Sequence, residues 1–345
     1  MNELIQRVES AFSPQNWINV RTLVAVSGGP DSVAVLRALV TIGQQFGQWK
    51  PGNMIVAHVN HGTRGPDSTE DALFVCNLAG QLGLEFMQAD VDMAQMPEDS
   101  EESLRRVRYQ QLIEMSLRCG ARYIVMGHNL DDQVETILFR IFRGTGIGGL
   151  TGIPRQRLAN ESITIVRPLL DVSRQLICSY LNEIGQDYQV DCSNADSKYT
   201  RNFLRHEVIP TLKKKFGNSI SESILRLSRQ AHEVDQFLLG QTQVLSNAIE
   251  RRHLCEIVFN CDRLLDHDPL IIRRWLAQIW VEQNWPRQAM TFRWWQQLCA
   301  ALQSSQDVVL NLPCSIRFEK TDKIAVLTDL RNGNGEGNGE PTDSK

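Results

Sequence analysis

The stretch TLVAVSGGPDS, residues 22–32, indicates how the chain folds and where its chemistry lies. The run TLVAVS is short, mostly apolar and rich in β-branched residues, which is typical of a buried strand. Gly28 and Gly29 follow it directly, and from Asp31 the apolar residues recur at helical spacing to about residue 46. A buried strand, a glycine turn and a helix in this order form the first unit of an α/β sheet.

Strand and helix patterns continue to alternate after this unit. Apolar runs predict strands, and apolar residues at helical spacing predict the helices between them. The predicted strands are 54–59, 85–91, 123–127 and 163–168, and the predicted helices are 70–82, 103–119, 131–142 and 172–184. This alternation predicts an α/β fold with a doubly wound, mostly parallel sheet and helices on both of its faces. Ligands bind outside the carboxyl ends of such strands, so we expect the functional site in loops 27–32, 59–66, 91–102 and 127–132.

The sequence pattern changes after about Pro210. Residues 211–250 and 269–303 have helical spacing and contain five of the seven tryptophans, and short strands are predicted at 308–310 and 316–327, as one hairpin. We therefore predict a catalytic domain over residues 1–210, a smaller, mainly helical C-terminal domain over 211–330 with the tryptophans in its core, and a disordered tail over 331–345.

Composition and charge exclude several classes of protein. The chain has 345 residues, a net charge of −4 and 42% hydrophobic residues, which fits about two globular domains. No uncharged apolar stretch reaches the roughly 18 residues that cross a membrane, and residues 1–10 carry charges where a signal peptide would be apolar. We therefore expect a cytoplasmic protein. The eight cysteines form no C-x-x-C pair, which argues against a zinc ribbon or an iron–sulfur cluster.

A basic stretch runs from Lys198 to Arg229, where eight Lys or Arg residues stand against two acids. Local charge rather than net charge decides whether a protein binds nucleic acid, so this stretch is a candidate surface for a polyanion. A solvated helical face is the alternative explanation.

The loop after the first strand has the features of a phosphate cradle. Gly28 and Gly29 let the backbone approach a phosphate closely, the start of the helix offers free N–H groups to an anion, and Ser27 and Ser32 add hydroxyl donors. Asp31 stands in a region where a kinase-type loop, G-x-x-x-x-G-K-[ST], carries a lysine. A carboxylate beside a triphosphate requires a bridging cation, and Mg²⁺ accepts one or two carboxylates together with phosphates. The alternative is that Asp31 only caps the helix.

The string SGGPDS, residues 27–32, resembles the PP-loop of the N-type ATP pyrophosphatases. Further segments resemble one family of that superfamily, the tRNA(Ile)-lysidine synthases. They are HVNHGTR (58–64), ESLRRVRY (102–109), GHNLDDQVET (127–136), RGTGIGGLTGI (143–153), RPLLDVSR (167–174) and DCSNADSKYTRNFLRHEVIP (191–210). Leu104 stands where this family usually has alanine, which leaves Arg105 in place. The resemblance covers about residues 20–212.

The resemblance implies an adenine-nucleotide α-hydrolase-like fold and a two-step reaction. The C2 carbonyl oxygen of the wobble cytidine, in the isoleucine tRNA with a CAU anticodon, attacks the α-phosphorus of ATP, and pyrophosphate leaves. The amine of free L-lysine then attacks C2, AMP leaves, and lysidine is formed. The implied cofactors are ATP and Mg²⁺, the implied partners are this tRNA and free L-lysine, and a homodimer is compatible with this interpretation. Some members carry a further domain, so we expect the shorter form of the family.

The resemblance also implies roles for individual residues. Asp31 would hold the metal, and the implied catalytic residues are Asp31, Asp132 and Arg205. The residues implied to bind the nucleotide are Ser27, Gly28, Gly29, Pro30, Asp31, Ser32, His58 and Gly127. The residues implied to bind RNA or phosphate are Arg105, Arg201, Lys213, Lys214 and Lys215, and the helical second domain would bind tRNA. Asp131 is an alternative to Asp132 as the functional acid, although helix capping would also explain its position.

Other functions fit parts of the pattern. A tRNA thiolase, or another adenylating PP-loop synthetase, would share the loop, but thiolases of this superfamily usually need paired cysteines. For an amidotransferase-type synthetase that acts on a small molecule, no glutaminase domain or N-terminal nucleophile is visible in the sequence, and the basic second domain favours RNA. A non-catalytic tRNA-binding protein would not need Asp31 and Asp132.

Overall fold

The computed structural model of the chain describes residues 2–47, 49–60, 66–91, 101–189, 200–217, 219–287 and 289–331. Its α-helices are α1 (Glu3–Ala11), α2 (Pro14–Trp17), α3 (Pro30–Gln45), α4 (Pro66–Gln81), α5 (Glu101–Cys119), α6 (Leu130–Phe142), α7 (Ile147–Leu150), α8 (Arg174–Glu183), α9 (Thr200–Phe203), α10 (Ile209–Phe216), α11 (Ser219–Thr242), α12 (Pro269–Glu282) and α13 (Phe292–Gln303). Its strands are β1 (Thr22–Ala25), β2 (Met54–Asn60), β3 (Glu85–Asp90), β4 (Tyr123–Met126), β5 (Gln156–Leu158), β6 (Thr164–Val166), β7 (Ile249–Arg252), β8 (Glu256–Asn260), β9 (Val308–Leu312), β10 (Ile316–Thr321) and β11 (Ile324–Asp329).

The first sheet has the strand order β3-β2-β1-β4-β6-β5 within the described residues. Neighbouring strands are parallel except β5, which pairs antiparallel with β6. The chain moves outward from β1 through β2 and β3, and then returns to the other side of β1 with β4. Open α/β sheets bind ligands at such a reversal, outside the carboxyl ends of the strands. The predicted doubly wound, mostly parallel sheet is confirmed, and its ligand crevice is expected where β1 and β4 end.

Both faces of β1 are covered by helices. Val24 belongs to an apolar layer that includes residues of α1, α3 and α8. Leu23 belongs to a second layer, which includes Leu112 and Met115 of α5. Strands that are buried on both faces have continuous apolar sequences rather than alternating ones, which explains the run TLVAVS.

The chain divides into two compact units, Met1–Ala231 and His232–Lys345. The division falls within α11, beyond the predicted domain boundary at residue 210. The reason is that α10 and the first part of α11 pack on α6, where Ile209 and Leu225 join its apolar residues in one buried cluster. The first unit therefore contains part of the basic stretch that was predicted to belong to the second domain.

The second unit contains a five-stranded antiparallel sheet, β7-β8-β11-β10-β9, in its described residues. The predicted hairpin of 308–310 with 316–327 is present as β9 and β10, but the second predicted strand is divided into β10 and β11, which pair with each other. β7 and β8 lie where the pattern predicted helix or made no prediction. Buried apolar side chains of the sheet, such as Phe259, pack against helix residues such as Trp275, with ring centroids 5.6 Å apart. Residues 332–345 of the predicted disordered tail lie outside the described residues. No described helix combines the length and the apolar character that a membrane span requires.

Candidate functional site

The loop after β1 is held in shape by its own backbone and hydroxyl groups. Gly28 has a φ of +92°, a left-handed conformation that favours glycine, and its carbonyl accepts a hydrogen bond from the Gln189 amide at 2.9 Å. The Ser32 hydroxyl donates to the Gly29 carbonyl at 2.8 Å and accepts from the Ser27 amide at 3.1 Å. The turn leads directly into α3, with Pro30 as its first residue, so free N–H groups of a 16-residue helix lie at the carboxyl end of β1.

Gly127, which follows β4, approaches this loop very closely. A Cβ atom added to Gly127 would lie 2.8 Å from the carbonyl carbon of Asp31 and 2.8 Å from the amide nitrogen of Ser32. Carbon atoms of side chains do not approach a backbone so closely, so this position requires glycine. The structure therefore assigns Gly127 to the packing of the two loops, and its predicted contact with the nucleotide stays a prediction.

Asp31 connects the loop after β1 to two other segments. Asn129 Nδ2 donates to Asp31 Oδ1 at 3.0 Å, and the Arg174 guanidinium forms an ion pair with Asp31 Oδ2. The helix-cap alternative for Asp31 is wrong, because Gly29 is the N-cap residue of α3. Burial raises the pKa of Asp31 to about 6; Arg174 and Asn129 oppose this rise, and Asp132 adds to it. A further cation beside Asp31 would therefore stabilise the charged form of this carboxylate.

Asp132 lies in the first turn of α6 and shares a capping box with Asn129. The Asn129 side chain accepts hydrogen bonds from the amides of Asp131 and Asp132, at 2.9 and 3.1 Å. Asp132 Oδ2 accepts from the Asn129 amide at 2.9 Å. These reciprocal bonds fix the start of α6, and they set Asn129 in the position from which it reaches Asp31.

Arg205 joins Asp132 to a third acid, Glu135. Its Nε donates to Glu135 Oε1 at 2.6 Å, and its Nη2 donates to Glu135 Oε2 and to Asp132 Oδ1, both at 2.9 Å. Burial raises the pKa of the Glu135 carboxyl against the effect of Arg205. Burial alone would lower the pKa of the Arg205 guanidinium, but the hydrogen bonds to Glu135 and the charge of Glu135 raise that pKa. The predicted residues Asp132 and Arg205 are thus in contact through one hydrogen bond, whereas the planar fork of Arg205 matches the carboxylate of Glu135.

Asp131 has different contacts from its neighbour. Its Oδ2 accepts a hydrogen bond from the backbone amide of Arg174 at 3.1 Å, and its Oδ1 lies 3.9 Å from Lys213 Nζ. Asp131 therefore holds the first amide of α8 and does not cap α6, where Asn129 has that role. The contact ties α6 to the helix that carries Arg174.

His58 lies near the end of β2 and is only 4% exposed. Its Nδ1 donates to the Val26 carbonyl at 2.9 Å, because a carbonyl oxygen can only accept. Burial lowers the pKa of the His58 ring, so its neutral form is favoured. The bond holds β2 to the residue just before the loop, and the predicted contact with the nucleotide stays a prediction.

The predicted RNA or phosphate residues lie on separate elements. Arg105 lies on α5 with its guanidinium over the Tyr109 ring, 5.6 Å from the centroid. Lys214 and Lys215 are exposed on α10, and Lys213 is half-buried. The Arg201 side chain and residues 191–199 lie outside the described part of the chain, as do 61–65 and 92–100 of the predicted loops.

The donors around Asp31 suit Mg²⁺ only together with phosphate oxygens. No group of three or more His, Cys, Asp or Glu side chains in the described residues could form a complete metal site. Asp31, with Asp132 nearby, would provide one or two carboxylates, and ATP would provide the remaining oxygens. Arg174 pairs with Asp31 in this structure and so holds a positive charge where the metal would bind.

Three residues of the site stood in segments of the resemblance but were given no role from the sequence: Asn129, Glu135 and Arg174. Asn129 had a detectable signal, since Asn-x-x-Asp before a helical pattern suggests a helix start. Glu135 and Arg174 stood in segments of the resemblance, but no local pattern pairs Arg174 with Asp31, which is 143 residues away.

Comparisons with known proteins agree with this geometry. The PP-loop domain family matches residues 2–212, and this class of protein fits the fold and the loop after β1. A tRNA(Ile)-lysidine synthase of Rhodopirellula baltica is 30% identical over 315 residues, which cover 81% of this chain and 79% of that protein. One of Bacteroides thetaiotaomicron is 38% identical over 230 residues, covering 66% of this chain but only 50% of that longer protein. The chain belongs to the tRNA(Ile)-lysidine synthase family.

A solved structure supports the fold independently. The U34-tRNA thiolase of Methanococcus maripaludis has a TM-score of 0.54 with this chain at 17% sequence identity, and the match covers 67% of this chain and 78% of that one. At this level of identity the similarity concerns the fold alone.

Proposed function

We propose that this chain uses ATP and Mg²⁺ to join free L-lysine to C2 of the wobble cytidine of the isoleucine tRNA with a CAU anticodon, forming lysidine. The observation that carries the proposal is the meeting of Asp31, Asn129 and Arg174 at the carboxyl ends of β1 and β4, in a chain of this family. A loop for phosphates and an acidic helix start lie together there, as a reaction between a nucleotide and an amine requires.

The nucleotide half of the site is the loop after β1. The amides at the start of α3 and the hydroxyls of Ser27 and Ser32 would bind the phosphates of ATP. Asp31 would hold Mg²⁺, which neutralises phosphate charge when it is bound. The C2 carbonyl oxygen of the cytidine attacks the α-phosphorus, and pyrophosphate leaves. Arg174 adds a positive charge close to Asp31, which would stabilise the charge that develops on the phosphates.

The amine half of the site is the start of α6. The side chains of Asp131 and Asp132 are 34% and 24% exposed, so an ammonium group can reach both. Arg205 balances the charge of the more buried Glu135 and orients Asp132. These acids would attract the lysine ammonium groups. One of these ammonium groups must first lose a proton to solvent; the resulting amine attacks C2, loses a second proton to solvent, and displaces AMP.

The part of the proposal that concerns RNA binding rests on charge. Lys214 and Lys215 are exposed on α10, within the basic stretch of the first unit. Such residues bind the phosphate backbone of RNA without reading its sequence. The cytidine would come from the anticodon loop, where taking a base out of the stack costs less than in a duplex.

The test is to incubate the whole chain with ATP, Mg²⁺, labelled lysine and isoleucine tRNA transcripts that differ only in the wobble base. We expect label to enter the cytidine transcript alone, with equal release of AMP and pyrophosphate. Asp31→Asn should abolish pyrophosphate release while the protein stays folded. Asp171→Asn is the matched control, because Asp171 is an exposed carboxylate paired with Arg155.

Two outcomes would overturn the proposal. Sulfur transfer to tRNA would indicate the thiolase alternative, and label in every transcript would remove the cytidine from the mechanism. The homodimer and the cytoplasmic location stay predictions, and sedimentation of the purified chain would test the first of them.

A further inference from the structure

Tyr109 of α5 lies within a cluster of three arginines. The guanidiniums of Arg105 and Arg157 lie over its ring, 5.6 and 5.2 Å from the centroid. Arg167 Nη2 donates to the Tyr109 hydroxyl at 3.0 Å. Burial alone would raise the pKa of Tyr109, but the charges of Arg167, Arg105 and Arg157 outweigh it and lower that pKa. Residues from a helix, an edge strand and the end of another strand therefore meet at one phenol.

Within the part of the chain that the structure describes, the positive charge of this cluster is not balanced by an acid. Among the described residues, no carboxylate forms an ion pair with Arg105, Arg157 or Arg167. Arg167 is only 2% exposed, its Nη1 donates to the Pro154 carbonyl at 2.8 Å, and its Nε has no partner among the described residues. Buried charges in proteins are normally paired, so the buried guanidinium of Arg167, which has no acidic partner among the described residues, suits a site that binds an anion.

The cluster lies at the edge of the sheet where the nucleotide loop lies. Arg167 follows β6, whose Val166 is in register with Val125 of β4, so Arg167 leaves the sheet at the same edge as Gly127. Arg105 lies near the start of α5, and crossover helices start at the carboxyl edge of a parallel sheet. Arg157 is exposed on the edge strand β5, which leaves the cluster open to solvent.

We propose that Arg105, Arg157 and Tyr109, held in place by Arg167, form a site for a backbone phosphate of the RNA substrate. The two accessible guanidiniums would bind the phosphate oxygens in the fork geometry that suits them. The Tyr109 hydroxyl accepts from Arg167, so its own hydrogen is left to donate to the anion. Arg167 is a positioning residue in this site. The proposal rests on the proposed function only in taking the anion from RNA.

The test is the salt dependence of RNA binding by the whole chain. The probes are the isoleucine tRNA transcript with a CAU anticodon and a second tRNA with a different anticodon, because a backbone contact acts on both. Each phosphate contact that is lost lowers the slope of log K against log salt by roughly 0.7 to 0.9. We expect Arg157→Gln and Arg105→Gln each to show this decrease and to raise the Kd for both probes about tenfold. The affinity for ATP should stay the same.

The matched control is Arg122→Gln. Arg122 also lies over a tyrosine, Tyr123, at 5.9 Å from the ring centroid, but it precedes β4 and so lies at the opposite edge of the sheet. Its substitution should leave the Kd and the slope as in the wild type. Arg157→Lys should keep the slope and lose part of the affinity, because it retains the charge and loses the planar fork.

An unchanged Kd and slope in Arg157→Gln would overturn the proposal. The expected rise in Kd cannot be attributed to a folding defect, because Arg157 is exposed. A loss of ATP affinity without a loss of RNA affinity would also overturn it, since the cluster would then serve the nucleotide. The two proposals can fail separately. Lysine incorporation without a change in slope removes only this phosphate site, whereas a change in slope without lysine incorporation removes only the proposed reaction.

Discussion

Gly127 lies so close to Asp31 that a Cβ atom on Gly127 would be 2.8 Å from the Asp31 carbonyl carbon. The close approach joins the loops at the ends of β1 and β4, which carry the phosphate-binding and acidic halves of the site. It also allows Asn129, two residues after Gly127, to donate its hydrogen bond to Asp31. The spacing of the two halves therefore depends on the absence of one methyl group.

We predict that Gly127→Ala separates the two loops and impairs nucleotide use. The backbone at residues 31 and 32 would have to shift, at a cost of about 1–3 kcal/mol in the free energy of unfolding. Urea unfolding would measure this cost, and pyrophosphate release should fall at least tenfold. Gly80→Ala is the control, because Gly80 lies in α4 with no atom within 4 Å of an added Cβ, and alanine is the better helix residue. Wild-type turnover in Gly127→Ala would show that the close approach is not needed.

The contact between Arg205 and Glu135 gives a prediction about coupling. Arg205→Gln leaves the buried Glu135 carboxylate without its main partner, and we expect a loss of about 2 kcal/mol in the free energy of unfolding. Glu135→Gln removes that unpaired charge, so the double variant should be more stable than the sum of the single effects predicts. A double-mutant cycle from urea unfolding measures the difference. Additive effects would mean that the fork contributes nothing to folding.

Gln133 gives a prediction about the glycine-rich stretch. Its side chain bonds to both the amide and the carbonyl of Ile153, with Nε2 donating to that carbonyl at 3.0 Å. Gln133→Leu would leave these buried backbone groups unpaired, and we expect a loss of about 2 kcal/mol of stability. Thermal unfolding would test this against Gln110→Leu, because the Gln110 side chain is exposed and donates to Glu114 at the surface of α5. Equal melting temperatures for the two variants would contradict the prediction.

The parts of the fold that were predictable are those with a local signal. β1, β2 and β4 are covered on both faces, so their sequences are continuous apolar runs that can be recognised without a structure. β5 has only three residues and all are exposed, so it has no burial pattern to detect. β7 likewise has mostly exposed residues, and its pairing with β8 is irregular.

The site shows the same limit. The turn at Gly28 and the start of α3 are local features, and SGGPDS was sufficient to predict both. The partner of Asp31 was not predictable from spacing, because the contact with Arg174 depends on how α8 packs in the folded domain. The role of Gly127 likewise depends on a contact between two loops that are almost a hundred residues apart in the chain.

The pKa of Asp31 predicts how stability depends on pH. This pKa is raised from 3.8 to about 6, so the native state holds a proton that the unfolded state releases in this range. The carboxylate therefore costs stability above pH 6, and that cost disappears as the pH falls towards 3.8. Relative to Asp31→Asn, the wild type should gain about 1 kcal/mol in the free energy of unfolding between about pH 8 and pH 5. Urea unfolding of both proteins at each pH measures this gain.

Arg174→Gln provides the control for this prediction, because Arg174 is the main group that lowers the pKa of Asp31. Its removal should move the pKa of Asp31 further up, so the same gain in stability should begin at a higher pH. The pH at which pyrophosphate release falls should move in the same direction, since a protonated Asp31 cannot bind a cation. Parallel pH profiles for the wild type and Asp31→Asn would mean that another group titrates. A profile that moves to lower pH in Arg174→Gln would mean that Arg174 does not act through its ion pair with Asp31.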